Sequence, residues 1–206
     1  MRGRSLKLSL LVCAALSGGC STGSGGGAGG GGVTCVPGPF QSCPVPATPD
    51  TAWVVNLSGG GAACNLGNIT GKVGDVDATT IQQRVTDGTA MASVTCSVVP
   101  SGASYAVNAQ ASQNGSSLSI FIPKIDKTNL MANPAVGSVS FESFQTNAVY
   151  SGSACSFYFV NSSMGVGSGK IWVAYSCTGI TNGSASPPST CAVTESYAVF
   201  ENCATS

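Results

Sequence analysis

The segment SYAVNAQASQNGSSLSIFIPK (residues 104–124) constrains the fold more than any other part of the chain. Asn114-Gly115 is a favoured two-residue hairpin turn, because both residues accept positive φ. Pairing outward from it sets Ala111 opposite Leu118, Ala109 opposite Ile120 and Val107 opposite Ile122. The intervening pairs are Ser112 with Ser117 and Gln110 with Ser119. One face is therefore apolar and the other polar. A slip of one residue would exchange the two faces, so turn chemistry and alternation specify the same register.

The same period of two recurs along the chain. ACSFYFV sets Cys155, Phe157 and Phe159 against Ser156, Tyr158 and Val160. KIWVAYSC sets Ile171, Val173, Tyr175 and Cys177 against Lys170, Trp172, Ala174 and Ser176. SYAVFENC reads as a final strand. In TTIQQRVTDGTAMASVTCSVV a second hairpin is expected to turn at Asp87-Gly88, with Ile81 opposite Val94 and Val85 opposite Ala90. A short helix from Asp77 to Val85 is the alternative, since Asp77 would cap it and Ile81 and Val85 lie four apart. Val, Ser and Thr are common and glycine numbers 28. That mixture suits strands and turns. The expected class is all-β, an antiparallel β-sandwich or jelly-roll-like domain over residues 35–206.

The amino terminus reads as an export signal. Arg2, Arg4 and Lys7 precede an apolar run from Leu8 to Leu16, and small residues follow. Nine apolar residues fall short of the roughly 20 needed to span a bilayer as a helix, and the order of charge, apolar run and small residues fits a cleaved signal. LSGGC (residues 16–20) resembles the lipobox of bacterial lipoproteins. It departs from that pattern at Ser17, where the family usually carries Leu, and ordinary cleavage near Gly19 is the alternative. The resemblance implies acyl chains on Cys20, a signal peptide over residues 1–19 and outer-membrane sorting, since Ser21 rather than Asp follows the cysteine.

Thiol number agrees with it: nine cysteines occur from Cys20 onward, so acylation of one leaves an even eight. STGSGGGAGGGG then reads as a flexible tether over residues 20–34, reaching roughly 20 Å r.m.s. from Cys20 to Thr34.

The eight remaining cysteines are Cys35, Cys43, Cys64, Cys96, Cys155, Cys177, Cys191 and Cys203. No CxxC or HxH spacing occurs, so disulfides outweigh a metal centre. Proximity favours Cys35–Cys43 and Cys64–Cys96. Cys155–Cys177 fits a hairpin turning within NSSMGVGSG. A Cys191–Cys203 bridge requires a bend, because a straight strand holds them ~40 Å apart and a disulfide spans at most ~7 Å. The alternative is Cys177–Cys191 with Cys155–Cys203. CAVTESYAVFENC and VTDGTAMASVTCSVV resemble uncharacterised cysteine-rich lipoproteins of Gram-negative bacteria, which implies an exported, disulfide-stapled β domain.

Chemistry is sparsely signalled. Histidine is absent, which removes Ser-His-Asp and Cys-His catalysis. Without the signal, five basic and eight acidic side chains remain, a net charge of −3. No basic patch suits nucleic acid. Asp75 and Asp77 in GDVDATT offer two oxygen donors toward Ca²⁺, but the further acids of an EF-hand loop are missing and a solvated turn is the plainer reading. Glu142, Glu195 and Glu201 sit in no motif. Ser168 and Lys170 lack the SxxK spacing. No catalytic, cofactor or metal residue is assigned. Trp172 and Tyr158, on the face opposite their strands' other apolar residues, are the candidate ligand-contact aromatics, with core packing as the alternative; Trp53 reads as core. The expected role is a membrane-tethered binding or structural module contacting envelope protein or polysaccharide. A carboxylate-based glycan hydrolase is the second reading.

Overall fold

The hairpin forms as its sequence dictates. Asn114 and Gly115 adopt φ of 51° and 73°, and the flanking strands pair Ala111 with Leu118, Ala109 with Ile120 and Val107 with Ile122. All six of those residues are buried. The computed structural model describes residues 48–59, 63, 64 and 66–206. The signal, Cys20, the tether, Cys35 and Cys43 lie outside the described residues.

The strands are β1 (Asp50–Ser58), β2 (Ile69–Val73), β3 (Asp75–Val76), β4 (Ile81–Gln83), β5 (Val85–Thr86), β6 (Ser93–Ser101), β7 (Ser104–Gln113), β8 (Ser116–Ile125), β9 (Ala135–Glu142), β10 (Tyr150–Tyr158), β11 (Gly165–Gly167), β12 (Lys170–Asn182) and β13 (Ser189–Glu201). No helix occurs among the described residues. The class is all-β and antiparallel, as expected. Hydrogen bonding runs through one eleven-stranded sheet in the order β2-β1-β13-β12-β10-β9-β8-β7-β6, with β11 beside β12 and β5 beside β1.

The sheet curls so that its inner face meets itself. Trp53 on β1 meets Phe141 on β9 edge-on, with ring centroids 6.1 Å apart. Phe157 and Tyr175 stack at 5.7 Å. Burial pushes the Tyr175 phenol far above its ordinary pKa, so it stays neutral and donates to the Val54 carbonyl. The outer edge of β6 is partly covered by Ala204 and Gly169. Val98 N–H donates to the Ala204 carbonyl, Ala204 N–H to the Cys96 carbonyl and Gly169 N–H to the Val98 carbonyl. An open strand edge invites pairing with another chain, and here Ala204 and Gly169 cover its middle, at Cys96 and Val98.

Two expectations are corrected. The Asp87-Gly88 hairpin does not pair Ile81 with Val94 or Val85 with Ala90, and the Asp77–Val85 helix does not form. Ile81 pairs with Val76, Val85 with Thr51 and Val94 with Ala111. The cause is tertiary. Residues 74–86 make a flap whose Val76 and Val85 are buried, and whose β3 packs on β1 and β13. A local hairpin would leave that sheet face uncovered. Asp77 turns the flap: its carboxylate accepts from the amides of Thr79 and Thr80 at 2.6 and 2.8 Å. Those bonds pull its pKa down to about 2.

The disulfides form the second correction. Cys155–Cys177 joins residues directly opposite on β10 and β12, as the hairpin reading requires. The other bridges are Cys64–Cys191 and Cys96–Cys203. They replace the expected Cys64–Cys96, and they exclude both Cys191–Cys203 and the alternative of Cys177–Cys191 with Cys155–Cys203. Sequence proximity misleads because both long bridges follow the sheet. Cys64 lies beside the start of β13, where Thr190 N–H donates to the Ala63 carbonyl. Cys203 lies where the tail crosses β6.

Candidate functional site: a hydroxyl-lined cleft

Outward-facing positions on seven adjacent strands fall into one row. Thr95 stands opposite Gln110, Gln110 opposite Ser119, Ser119 opposite Ser140, Ser140 opposite Ser151, Ser151 opposite Thr181, and Thr181 opposite Thr190. Neighbouring strands lie ~4.8 Å apart, so the row is a regular ladder of hydroxyls and one amide. The hydroxyls of Ser140 and Ser151 bond at 2.9 Å, and those of Thr181 and Thr190 at 3.0 Å.

The middle of this row is concave. The pairing of β10 with β9 shifts between Gly152 and Cys155, and that of β12 with β13 shifts between Cys177 and Ile180. Bulges of this kind bend a strand and re-aim its side chains. A Cβ on Gly152 would sit 2.7 Å from the Gly179 carbonyl oxygen and 2.8 Å from Ile180 Cγ2, so only glycine permits the approach. The result is a cleft of about 580 Å³ lined by Ser119, Ser138, Ser140, Ser151, Ser153 and Thr181, with Gly152 and Gly179 in its floor. None of its lining side chains is charged. Phe121, opposite Ser138 and two residues along β8 from Ser119, is 50% exposed. An aromatic ring therefore stands beside the hydroxyls.

The cleft can donate and accept hydrogen bonds in a fixed lattice, and the exposed ring of Phe121 stands on the same face outside its lining. It holds no group able to move a proton near neutrality. Alternation did signal the first part of the row, the Gln110–Ser119 pair, of which Ser119 lines the cleft. The continuation through Ser140, Ser151 and Thr181 needed the strand order, which only the folded chain supplies.

Trp172 and Tyr158 lie elsewhere, at 3% and 6% exposure. Tyr158 stands opposite Ala174, two residues along β12 from Trp172. They do share a face, as expected, but they are packed inside it, so neither presents a ring to a ligand. The reason is the flap, which makes this outer face a second apolar layer. Asn161 donates to the Ala78 carbonyl and pins the flap. Trp53 is fully buried.

The acids divide sharply. Asp77 is consumed by its turn, and Asp75 faces Lys72 at 3.8 Å. No group of three or more potential ligands for a metal ion occurs among the described residues. Asp50 and Glu201, in contrast, stand directly opposite each other on β1 and β13. Arg84 of the flap reaches Glu201 at 3.2 Å, with side chains 10% and 11% exposed. Burial raises the pKa of both carboxyls, and the Arg84 charge opposes the rise. Burial also lowers that of Lys170, against the pull of Glu201. This cluster ties the flap to the sheet and lines no part of the hydroxyl cleft. Comparison of the chain with protein-family models, curated proteins and solved structures finds no match.

Proposed function

We propose that this protein is an exported lipoprotein, moored through acyl chains on Cys20 to the outer membrane, whose β domain binds uncharged polysaccharide of the cell envelope in the hydroxyl cleft. One observation carries the ligand class: a concave row of Ser and Thr hydroxyls without charge, beside the exposed ring of Phe121. Sugars present alternating hydroxyls and apolar C–H faces; the cleft offers the complement of the first, and the neighbouring Phe121 ring that of the second. Aromatic plates add about 0.5–1.5 kcal/mol beyond area burial. Three disulfides among the described residues support the exported setting, since such bonds persist where reduction is absent.

A glycan array probed with the protein tests the ligand. Neutral polysaccharides are expected to be retained. Phe121→Ala should weaken them about tenfold, as loss of roughly 1.4 kcal/mol implies. Ser151→Asp, which puts a carboxylate in the cleft, should abolish retention. Both positions are exposed, so the fold survives either change. Retention of charged glycans alone, or indifference to both substitutions, overturns the reading.

A carboxylate-based glycan hydrolase is the second reading; Asp50 and Glu201 face each other, but they lie under the flap beside Arg84 and line no part of the cleft. The same glycans recovered shortened, and recovered intact with Glu201→Gln, would favour it. The anchor is tested separately. Mass spectrometry of protein from its native host should find a diacylglyceryl thioether on Cys20, and an unmodified thiol there refutes the mooring.

A further inference from the structure

The hydroxyl cleft runs across the strands rather than along them. Its lining comes from β8, β9, β10 and β12, and each gives one hydroxyl of the row: Ser119, Ser140, Ser151 and Thr181. At ~4.8 Å between strands, the four hydroxyls span about 14 Å. The next row along β8 and β9 holds Phe121 opposite Ser138. It lies two residues away, or about 7 Å. A ligand crossing the strands at the β8 end therefore meets Ser119 on one side and the Phe121 ring on the other.

The row also has a period of two strands. Ser140 bonds Ser151 across β9 and β10 at 2.9 Å, and Thr181 bonds Thr190 across β12 and β13 at 3.0 Å. The bonded pairs thus repeat at ~9.6 Å, two strand spacings. One bond within a pair leaves it a further O–H and unused lone pairs to offer a ligand.

Hexopyranose rings joined 1,4 through equatorial bonds form a straight ribbon in which successive rings turn over. One ring of such a ribbon matches the strand spacing, and its two-ring repeat matches the separation of the hydroxyl pairs. An axial 1,4 linkage curls the chain away from a straight row. The lining carries no charged side chain, so a charged polymer would lose hydration there without gaining a partner.

Given the glycan reading above, on which this rests, we propose that the cleft takes a neutral, equatorially 1,4-linked polysaccharide laid across the strands. One ring sits on each of β8, β9, β10 and β12, and the β8 ring stacks on Phe121.

Titration calorimetry of the full chain carrying Cys20→Ser tests it, with β-1,4-linked oligomers of glucose and of N-acetylglucosamine from two to six rings. In at least one series affinity should rise about fivefold per ring, as one added hydrogen bond implies, and level off at four rings. Maltotetraose, linked axially, should bind at least about tenfold more weakly than the tetramer of that series. Phe121→Ala should weaken every length about tenfold, because even the dimer sits on the ring. Thr181→Val should weaken the tetramer about fivefold and leave the dimer unchanged. The unchanged dimer then shows that the variant folds. Affinity that is flat beyond two rings, or equal for maltotetraose, overturns the crossing arrangement while neutral glycan binding stands. So does a loss alike at all lengths in a Thr181→Val protein of unchanged melting temperature, or binding of neither series when other neutral glycans are retained. Binding of no neutral glycan at all overturns the glycan reading and the crossing arrangement together.

Discussion

Removing the Cys64–Cys191 and Cys96–Cys203 bridges together, by alanine at all four positions, is expected to leave the chain unfolded at 25 °C. Each bridge closes a long loop, 127 and 107 residues respectively, and the two interlock. With Cys64–Cys191 intact, the path from Cys96 to Cys203 runs back 32 residues to Cys64, across that bridge, then 12 residues from Cys191. Closing such a loop of about 44 residues restricts the unfolded chain by roughly 4 kcal/mol in the chain-entropy treatment. Removing either bridge alone therefore costs about 4 kcal/mol. Removing the second opens the full loop and costs about 5 kcal/mol more. Their sum, about 9 kcal/mol, matches the whole stability of an ordinary domain. Cys155–Cys177, with a separation of 22, is worth about 3 kcal/mol. Alanine avoids burying a new hydroxyl at Cys191 and Cys203, both of which are buried. Urea titration followed by circular dichroism checks the ranking. A quadruple variant still folding cooperatively near the wild-type midpoint would show that the sheet holds without its staples.

Local pattern and tertiary demand explain which parts of this fold were legible. The 104–125 hairpin was legible because its turn and its alternation are local and agree. Cys155–Cys177 was legible for the same reason, since one hairpin joins the two residues. The Asp87-Gly88 prediction failed although its turn dipeptide is as good. Residues 81–86 pair with β3 and β1 rather than with β6, because a sheet face carrying Ala52, Trp172, Tyr197 and Val199 needed a cover. The two long disulfides failed for a related reason: chain distance says little about partners in a sheet where β1 pairs with β13. Trp172 and Tyr158 look solvent-facing by alternation only if one face of their strands is wet, and both faces are buried here. The hydroxyl row was legible for two strands and required the strand order for the rest.

Arg84→Met is the second substitution expected to have a large effect, and its pH dependence identifies the cause. The guanidinium lies against Glu201 under the flap, and its charge also reaches Asp50. Breaking a buried ion pair from one side typically costs about 3–5 kcal/mol, because a charge is left without its partner. At pH 7 the variant should lose that much and expose the flap to proteolysis near residues 77–83.

Both carboxyls already bind protons more tightly when folded than the ordinary values of 3.8 and 4.5. The native state thus holds more protons than the unfolded chain, and stability falls as pH rises through their folded pKa values. Acidification from pH 7 toward 5 should stabilise the wild type modestly. It should stabilise the Arg84→Met variant more, because the charge that opposed the rise is gone, and so shrink the deficit. Below about pH 3.8 the trend reverses: Asp77, held near 2 by Thr79 and Thr80, and Asp126, lowered by Thr128, take up protons and release their turns.

A companion variant separates charge from packing. Asp50→Leu, Arg84→Met and Glu201→Met together should recover most of the loss, since apolar replacement of a buried ion cluster is often neutral or better. Thermal melts from pH 4 to 8 measure all three proteins. A deficit that ignores pH, or a triple variant as weak as the single one, would mean that Arg84 holds the flap by its stem rather than by its charge.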